Sequence, residues 1–275
     1  MELTIRYTEK NPYFVDGKWI SGKDFYGFFL HDVATEQPDP DVWVSVFDKE
    51  SHTGSGINGF IGPEKVVITA PCFETPGTVK RMPHACRPAN DHYIGFEMCN
   101  PKTLKFNKNH TAFTIDQADV PAAKEFVAKM YANAVELFAR LCLFHGKDPL
   151  EDGVILSHRE GGIRGIASDH GDPENLWNGL NMGYTMDGFR ADVAKKMAEL
   201  AESGKAEEYG YLGFSDVNED DWFAAALKWA VEKKIVLQSG KPFRPNNPMD
   251  KATFIVLLRR AYNALLSDLQ SGGQS

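Results

Sequence analysis

The first 120 positions hold short apolar runs broken by Gly, Pro and polar residues, among them FYGFFLHDVA, VWVSVFD, KVVITAP and HYIGFEMC. Each reads as a strand between turns. The period then changes. In DVPAAKEFVAKMYANAVELFARLCLFHGK, residues 119 to 147, Phe126, Met130, Ala134, Leu137 and Leu141 recur at helical spacing. Asp119 stands at the N-cap position, Pro121 lies in the first turn and Gly146 ends the pattern. GVILSH reads as a short strand that delivers His158 at its end, followed by the loop REGGIRGIASDHGDPENLW. MDGFRADVAKKMAELAES then reads as an amphipathic helix with Phe189, Val193, Met197 and Leu200 on one face. This order predicts an α/β fold, with a mixed central β-sheet flanked by helices over residues 1–205.

Around SGKAEEYGYLG, residues 203 to 213, the composition turns small and polar, which suits a linker at 206–212. Residues 213–275 then read as a small all-α helical hairpin. Asp220 or Asp221 caps a helix carrying Trp222, Ala226, Trp229 and Ala230; a Gly/Pro/Asn loop follows; Asp250 caps a helix carrying Phe254, Leu257, Leu258 and Tyr262. A core this small is marginal alone, so the unit is expected to pack on its neighbour or on another copy.

Of the 275 residues, 43% are hydrophobic, enough for a substantial core, and the net charge is −8. That balance argues against nucleic-acid phosphates and anionic membranes as partners, since both favour a cationic surface. No apolar run approaches membrane-spanning length, and the start of the chain lacks a basic segment followed by an apolar run, so no signal peptide is expected. Cys72, Cys86, Cys99 and Cys142 form no Cys-x-x-Cys pair and read as reduced, mostly buried thiols.

The stretch ILSHREGGIRGIASDHGDPENLW concentrates polar side chains behind an apolar run. A catalytic zinc needs three rigid nitrogen or oxygen ligands and one open position. His158 and, fourteen residues later, Asp172 offer two; the best third candidate is His31 in GFFLHD, another histidine after an apolar strand. Spacing by itself leaves open whether these side chains bind metal or decorate a loop.

GFFLHD, MPHACRPANDHYIGFEMCNP, ILSHREGGIRGIASDHGDPENLW and MDGFRADVAKKM occur in the order and approximate spacing of the type 2 N-acetylmuramoyl-L-alanine amidases. The chain resembles that zinc amidase family, which is related to phage amidase lysins and peptidoglycan recognition proteins, over about residues 20–200. It looks most like versions from low-GC Gram-positive bacteria and their phages. The resemblance implies Zn2+ on His31, His158 and Asp172, Glu97 as general base, and His84 and Asn90 lining the groove for a peptidoglycan substrate. At the position where the family commonly carries an oxyanion-stabilising lysine, this chain has His170. Pro83 replaces a usual tryptophan, and GINGFIG replaces a His- or Tyr-containing element, so no catalytic tyrosine is carried over. His52, His92, His110 and His145 match no ligand position. Rival readings are a binding-only protein of the same fold and a cytosolic amidase that recycles soluble muropeptides.

The C-terminal unit resembles an S-layer homology repeat through Phe214, Asp216, Val217, Trp222, Trp229, Ala230, Phe243, Pro245, Leu258 and Arg259. Lys234-Ile235 and Asp250-Lys251 depart from the usual pattern. The resemblance implies binding to a secondary cell-wall polymer and action at the wall after release from the cytoplasm. Such repeats commonly come in threes. The single repeat here points to a homo-oligomer or to packing on the catalytic part.

Overall fold

A computed structural model of the chain describes residues 1–86, 88–202, 224–233, 235–236, 257–258 and 261–262. The chain divides into two compact units, Met1–Glu199 and Leu200–Ser275.

The first unit is built on a six-stranded mixed sheet. In chain order its strands are β1 (Glu2–Ile5), β3 (Gly27–Asp32), β4 (Gly59–Ile61), β5 (Lys65–Ile68), β7 (Tyr93–Met98) and β10 (Ile155–Ser157); two small pairs, β2 (Trp19–Ser21) with β6 (Thr78–Lys80) and β8 (Lys105–Phe106) with β9 (Phe113–Thr114), lie apart, and a short helix α1 (Pro12–Val15) follows β1. The spatial order is β1-β5-β4-β7-β3-β10, and only the β4–β5 pairing is antiparallel. The central strands β3 and β7 are buried almost throughout, as strands covered on both faces require. Side chains alternate, so Phe28, Leu30, Ile94 and Phe96 share one face while Phe29, His31, Gly95 and Glu97 share the other.

The apolar face is closed by the long helix α4 (Val120–His145), whose Phe138 meets Phe28 and Phe96 edge-on. Gly146 ends α4 in the left-handed conformation, φ 63°, which favours glycine and returns its N–H to the last carbonyls. The opposite face gathers Phe29, Tyr93, Leu156 and Ala89 into a smaller cluster under the polar site. Ala89 belongs to α3 (Ala89–His92).

Two expectations change. VWVSVFD is not a strand but most of α2 (Pro40–Phe47). The start signal lies just before the run: Asp39 accepts the Asp41 N–H and Pro40 opens the helix, while Trp43 and Phe47 pack on Phe60. The stretch after β10 is not all loop: short helices stand at both of its ends, and residues 164–173 between them are irregular. His158 begins α5 (His158–Ile163), and α6 (Glu174–Gly179) and α7 (Met186–Glu202) follow. Ser157 and Glu160 form a capping box there.

In the second unit, α8 (Ala224–Glu232) buries Ala224 and Leu227, whereas Trp229 is exposed. AAALKWAV is apolar nearly all round, so periodicity could not choose the face. The expected linker, the caps Asp220, Asp221 and Asp250, Phe254 and the Gly/Pro/Asn loop lie outside the described residues. Residues 257–258 and 261–262 are helical. No helix among the described residues is long and apolar enough to cross a membrane.

Candidate metal centre

Three chain segments far apart in sequence meet at the ends of β3 and β10. His31 is the penultimate residue of β3, His158 the first residue of α5, and Asp172 precedes α6. His31 Nδ1 lies 3.1 Å from His158 Nδ1 and 3.2 Å from Asp172 Oδ2, and His158 Nδ1 lies 3.4 Å from Asp172 Oδ1. All three residues are buried, and one donor atom from each falls within 4.8 Å of the others.

Hydrogen bonds behind the rings fix what they present. His84 Nε2 lies 3.2 Å from the Tyr93 carbonyl oxygen and must donate to it, leaving His84 Nδ1 as an acceptor. His31 Nε2, 2.9 Å from that atom, therefore donates, and His31 Nδ1 carries a lone pair. His158 Nε2 is 2.8 Å from Ser168 Oγ; with the hydroxyl as acceptor, His158 Nδ1 also carries a lone pair. Two imidazole lone pairs and a carboxylate thus face one another, a donor set that suits zinc. Burial lowers the pKa of His31 and, further, of His84, which keeps both rings neutral. Burial alone would raise the Asp172 pKa, but the close approach of the His158 and His31 rings outweighs it and holds the carboxyl below the usual carboxylate range.

Glu97 stands beside His31 in the β3–β7 register. Its Oε2 is buried with no hydrogen-bond partner, and burial, then the charges of Asp172 and Asp32, push its pKa well above the usual carboxylate range. Glu97 lines a groove of about 1060 Å³ together with His84, His158, His170 and Asp172.

His170 stacks on His158 with ring centroids 4.5 Å apart and places Nδ1 3.9 Å from Asp172 Oδ1, beyond hydrogen-bond distance. Its side chain is 61% exposed. Asn90 does not line this groove. It is buried, and its Oδ1 accepts the N–H groups of His84 and Ala85, so it shapes the turn that holds His84. His84 does reach the groove, but its ring is committed to His31. His110, which matches no ligand position, also lines the groove and contacts the Ala34 carbonyl through Nδ1.

Sequence reasoning missed several supports. Asp32 accepts from Ala34 N and Asn100 Nδ2, and burial, with the Asp172 charge, raises its pKa to about 7. Arg190 of α7 donates to both oxygens of Glu160 and to the Ile155 carbonyl, clamping α5 to the start of β10. The only signal for this clamp was the MDGFRADVAKKM motif, whose arginine carried no assigned role. All four cysteines are free; three are buried and Cys86 is partly exposed.

Residues 22–175, more than half of the chain, match the family described as N-acetylmuramoyl-L-alanine amidase. The chain belongs to this family. Residues 213–255 of this amidase-family protein match the S-layer homology domain. Among solved structures it is similar to the Staphylococcus aureus hydrolase AmiA in complex with its ligand, at 17% identity and a TM-score of 0.49 over 74% of this chain and 86% of that one. A mutant endolysin from Bacillus subtilis is similar at 14% identity and a TM-score of 0.45, over 70% of this chain and 99% of that one. The ectodomain complex of peptidoglycan recognition proteins LCa and LCx with tracheal cytotoxin gives 11% and 0.39, over 65% and 93%. No curated protein matches the chain.

Proposed function

We propose that this amidase-family protein is a zinc-dependent peptidoglycan hydrolase that cuts the amide between the lactyl group of N-acetylmuramic acid and the L-alanine of the stem peptide. The observation that carries the reading is the convergence of His31 Nδ1, His158 Nδ1 and Asp172 beside Glu97, whose Oε2 has no hydrogen-bond partner, at a groove lined by His158, Asp172 and Glu97. Bound zinc would acidify its water and polarise the amide carbonyl. Glu97 takes the proton of the attacking water and passes it to the departing nitrogen, a task suited to a carboxyl with a raised pKa. His170, exposed at the groove, donates an N–H toward the carbonyl oxygen as charge builds there; one such donor typically contributes about 3 kcal/mol. A binding-only relative would have no use for a complete donor set next to a buried acid.

Residues 1–205 form the catalytic part in this reading, and 213–275, through the S-layer homology segment, hold the enzyme on a secondary wall polymer. Wall attachment favours an endolysin- or autolysin-like role over recycling of soluble fragments. Dye release from labelled Gram-positive peptidoglycan tests the chemistry: chelation abolishes it, zinc restores it, and His158→Ala purifies without zinc and is inactive. Zinc-loaded protein that binds walls and releases nothing would leave the binding-only reading. Sedimentation of the full chain with walls, before and after removal of their secondary polymers, tests the anchor.

A further inference from the structure

Among the described residues lining the groove there is one Lys or Arg, Arg159. It follows His158 on the first turn of α5, is exposed, and its backbone N–H donates to the Asp172 carbonyl, 3.3 Å. Every other described arginine has a carboxylate partner: Arg6 with Asp41, Arg81 with Asp91, Arg140 with Glu136, Arg164 with Asp152 and Arg190 with Glu160. Arg159 forms no hydrogen bond or ion pair through its side chain among the described residues, although its charge acts at longer range on Glu174. One turn further along α5, Ile163 lines the same groove and is 78% exposed. Residues four apart share a helix face, so α5 offers the groove a cation followed by an apolar side chain.

A guanidinium is a planar fork that matches a carboxylate through two hydrogen bonds. Deeper in the site the acidic side chains Asp32, Glu97 and Asp172 offer a carboxylate no side-chain cation, whereas Arg159 at the rim attracts it. One residue of extended chain spans about 3.5 Å, so the second residue of a stem peptide whose scissile bond lies at the metal site falls within about 7 Å of it. That is the reach of an arginine next to His158. We propose that Arg159 binds the free α-carboxylate of the second stem residue, with Ile163 packing on the aliphatic part of the stem beyond it. This rests on the amidase reading above, and it makes α5 the wall that distinguishes a free acid at that position from its primary amide.

The test compares two synthetic muramoyl tripeptides that differ only there, second residue free acid or amide, against zinc-loaded full-length protein. A charge-assisted pair predicts that the acid is preferred about 10–100-fold in kcat/KM, carried by KM. Arg159→Gln shrinks the preference to within about threefold while zinc stoichiometry holds at one, and Arg159→Lys keeps part of it. Affinities of the two compounds for Glu97→Gln follow the same order. Equal handling of both by the parent protein, or equal losses on both in Arg159→Gln, overturns the proposal. If neither compound is cut, the amidase reading fails, and the affinities decide on Arg159 alone: unequal affinities lost in the Arg159→Gln, Glu97→Gln double variant sustain its role, and equal affinities or no measurable binding overturn it.

Discussion

His31 Nε2 lies 2.9 Å from His84 Nδ1, and His84 Nε2 lies 3.2 Å from the Tyr93 carbonyl oxygen, so a backbone oxygen sets the tautomer of a candidate metal ligand through an intervening ring. His84→Ala removes the acceptor that keeps the His31 proton on Nε2. Partners of this kind typically contribute 10–100-fold in metal affinity, so zinc affinity, measured by competition with a chelating dye, should fall by about that factor. An unchanged affinity would make His84 a groove residue only.

Gly95 provides the room for that relay. A Cβ there would lie 2.5 Å from His84 Cγ and 2.7 Å from its Nδ1, too close for either group to stay in place. Gly95→Ala should therefore weaken zinc binding as His84→Ala does and also lower stability by about 1–3 kcal/mol, read from urea unfolding.

Glu97→Gln preserves shape but cannot accept the proton. It should retain one equivalent of zinc and lose about 10²–10⁴-fold in kcat. Full activity in this variant would remove Glu97 as the base.

His145 lies outside the site, 9% exposed, with Nδ1 accepting the Gly77 N–H and Nε2 donating to the Cys72 carbonyl. Burial lowers its pKa to about 4 from an unfolded value near 6.5. The folded state binds the proton less well than the unfolded state, so this stability is complete above about pH 6.5 and is lost as pH falls toward 4. The loss is about 3 kcal/mol. Urea unfolding at pH 7 and pH 4.5 should show a drop of that order, much reduced in His145→Leu, which starts less stable because two backbone groups lose their partner.

The long elements were legible because their burial repeats over many residues: α4, with its glycine stop, and the buried strands β3 and β7 follow directly from the pattern. VWVSVFD misled because its valines favour strands while the cap that decides for a helix, Asp39 before Pro40, stands outside the run. For the site, order and spacing of motifs brought His31, Glu97, His158 and Asp172 to one list, and the fold gathers His31 with His158 and Asp172 and sets Glu97 beside it. The hydrogen bonds behind them were illegible. Ser168, the Tyr93 carbonyl and the Arg190 clamp act through backbone placement and long-range contacts, which leave no period or spacing in a single sequence.

Mass spectrometry of peptidoglycan digested by the zinc-loaded protein tests the central claim most directly. The account predicts free stem peptides beginning with L-alanine and glycan strands whose muramic acid lactyl groups end in free carboxylates. Fragments cut within the peptide or within the glycan, with the muramoyl-alanine bond intact, would contradict it.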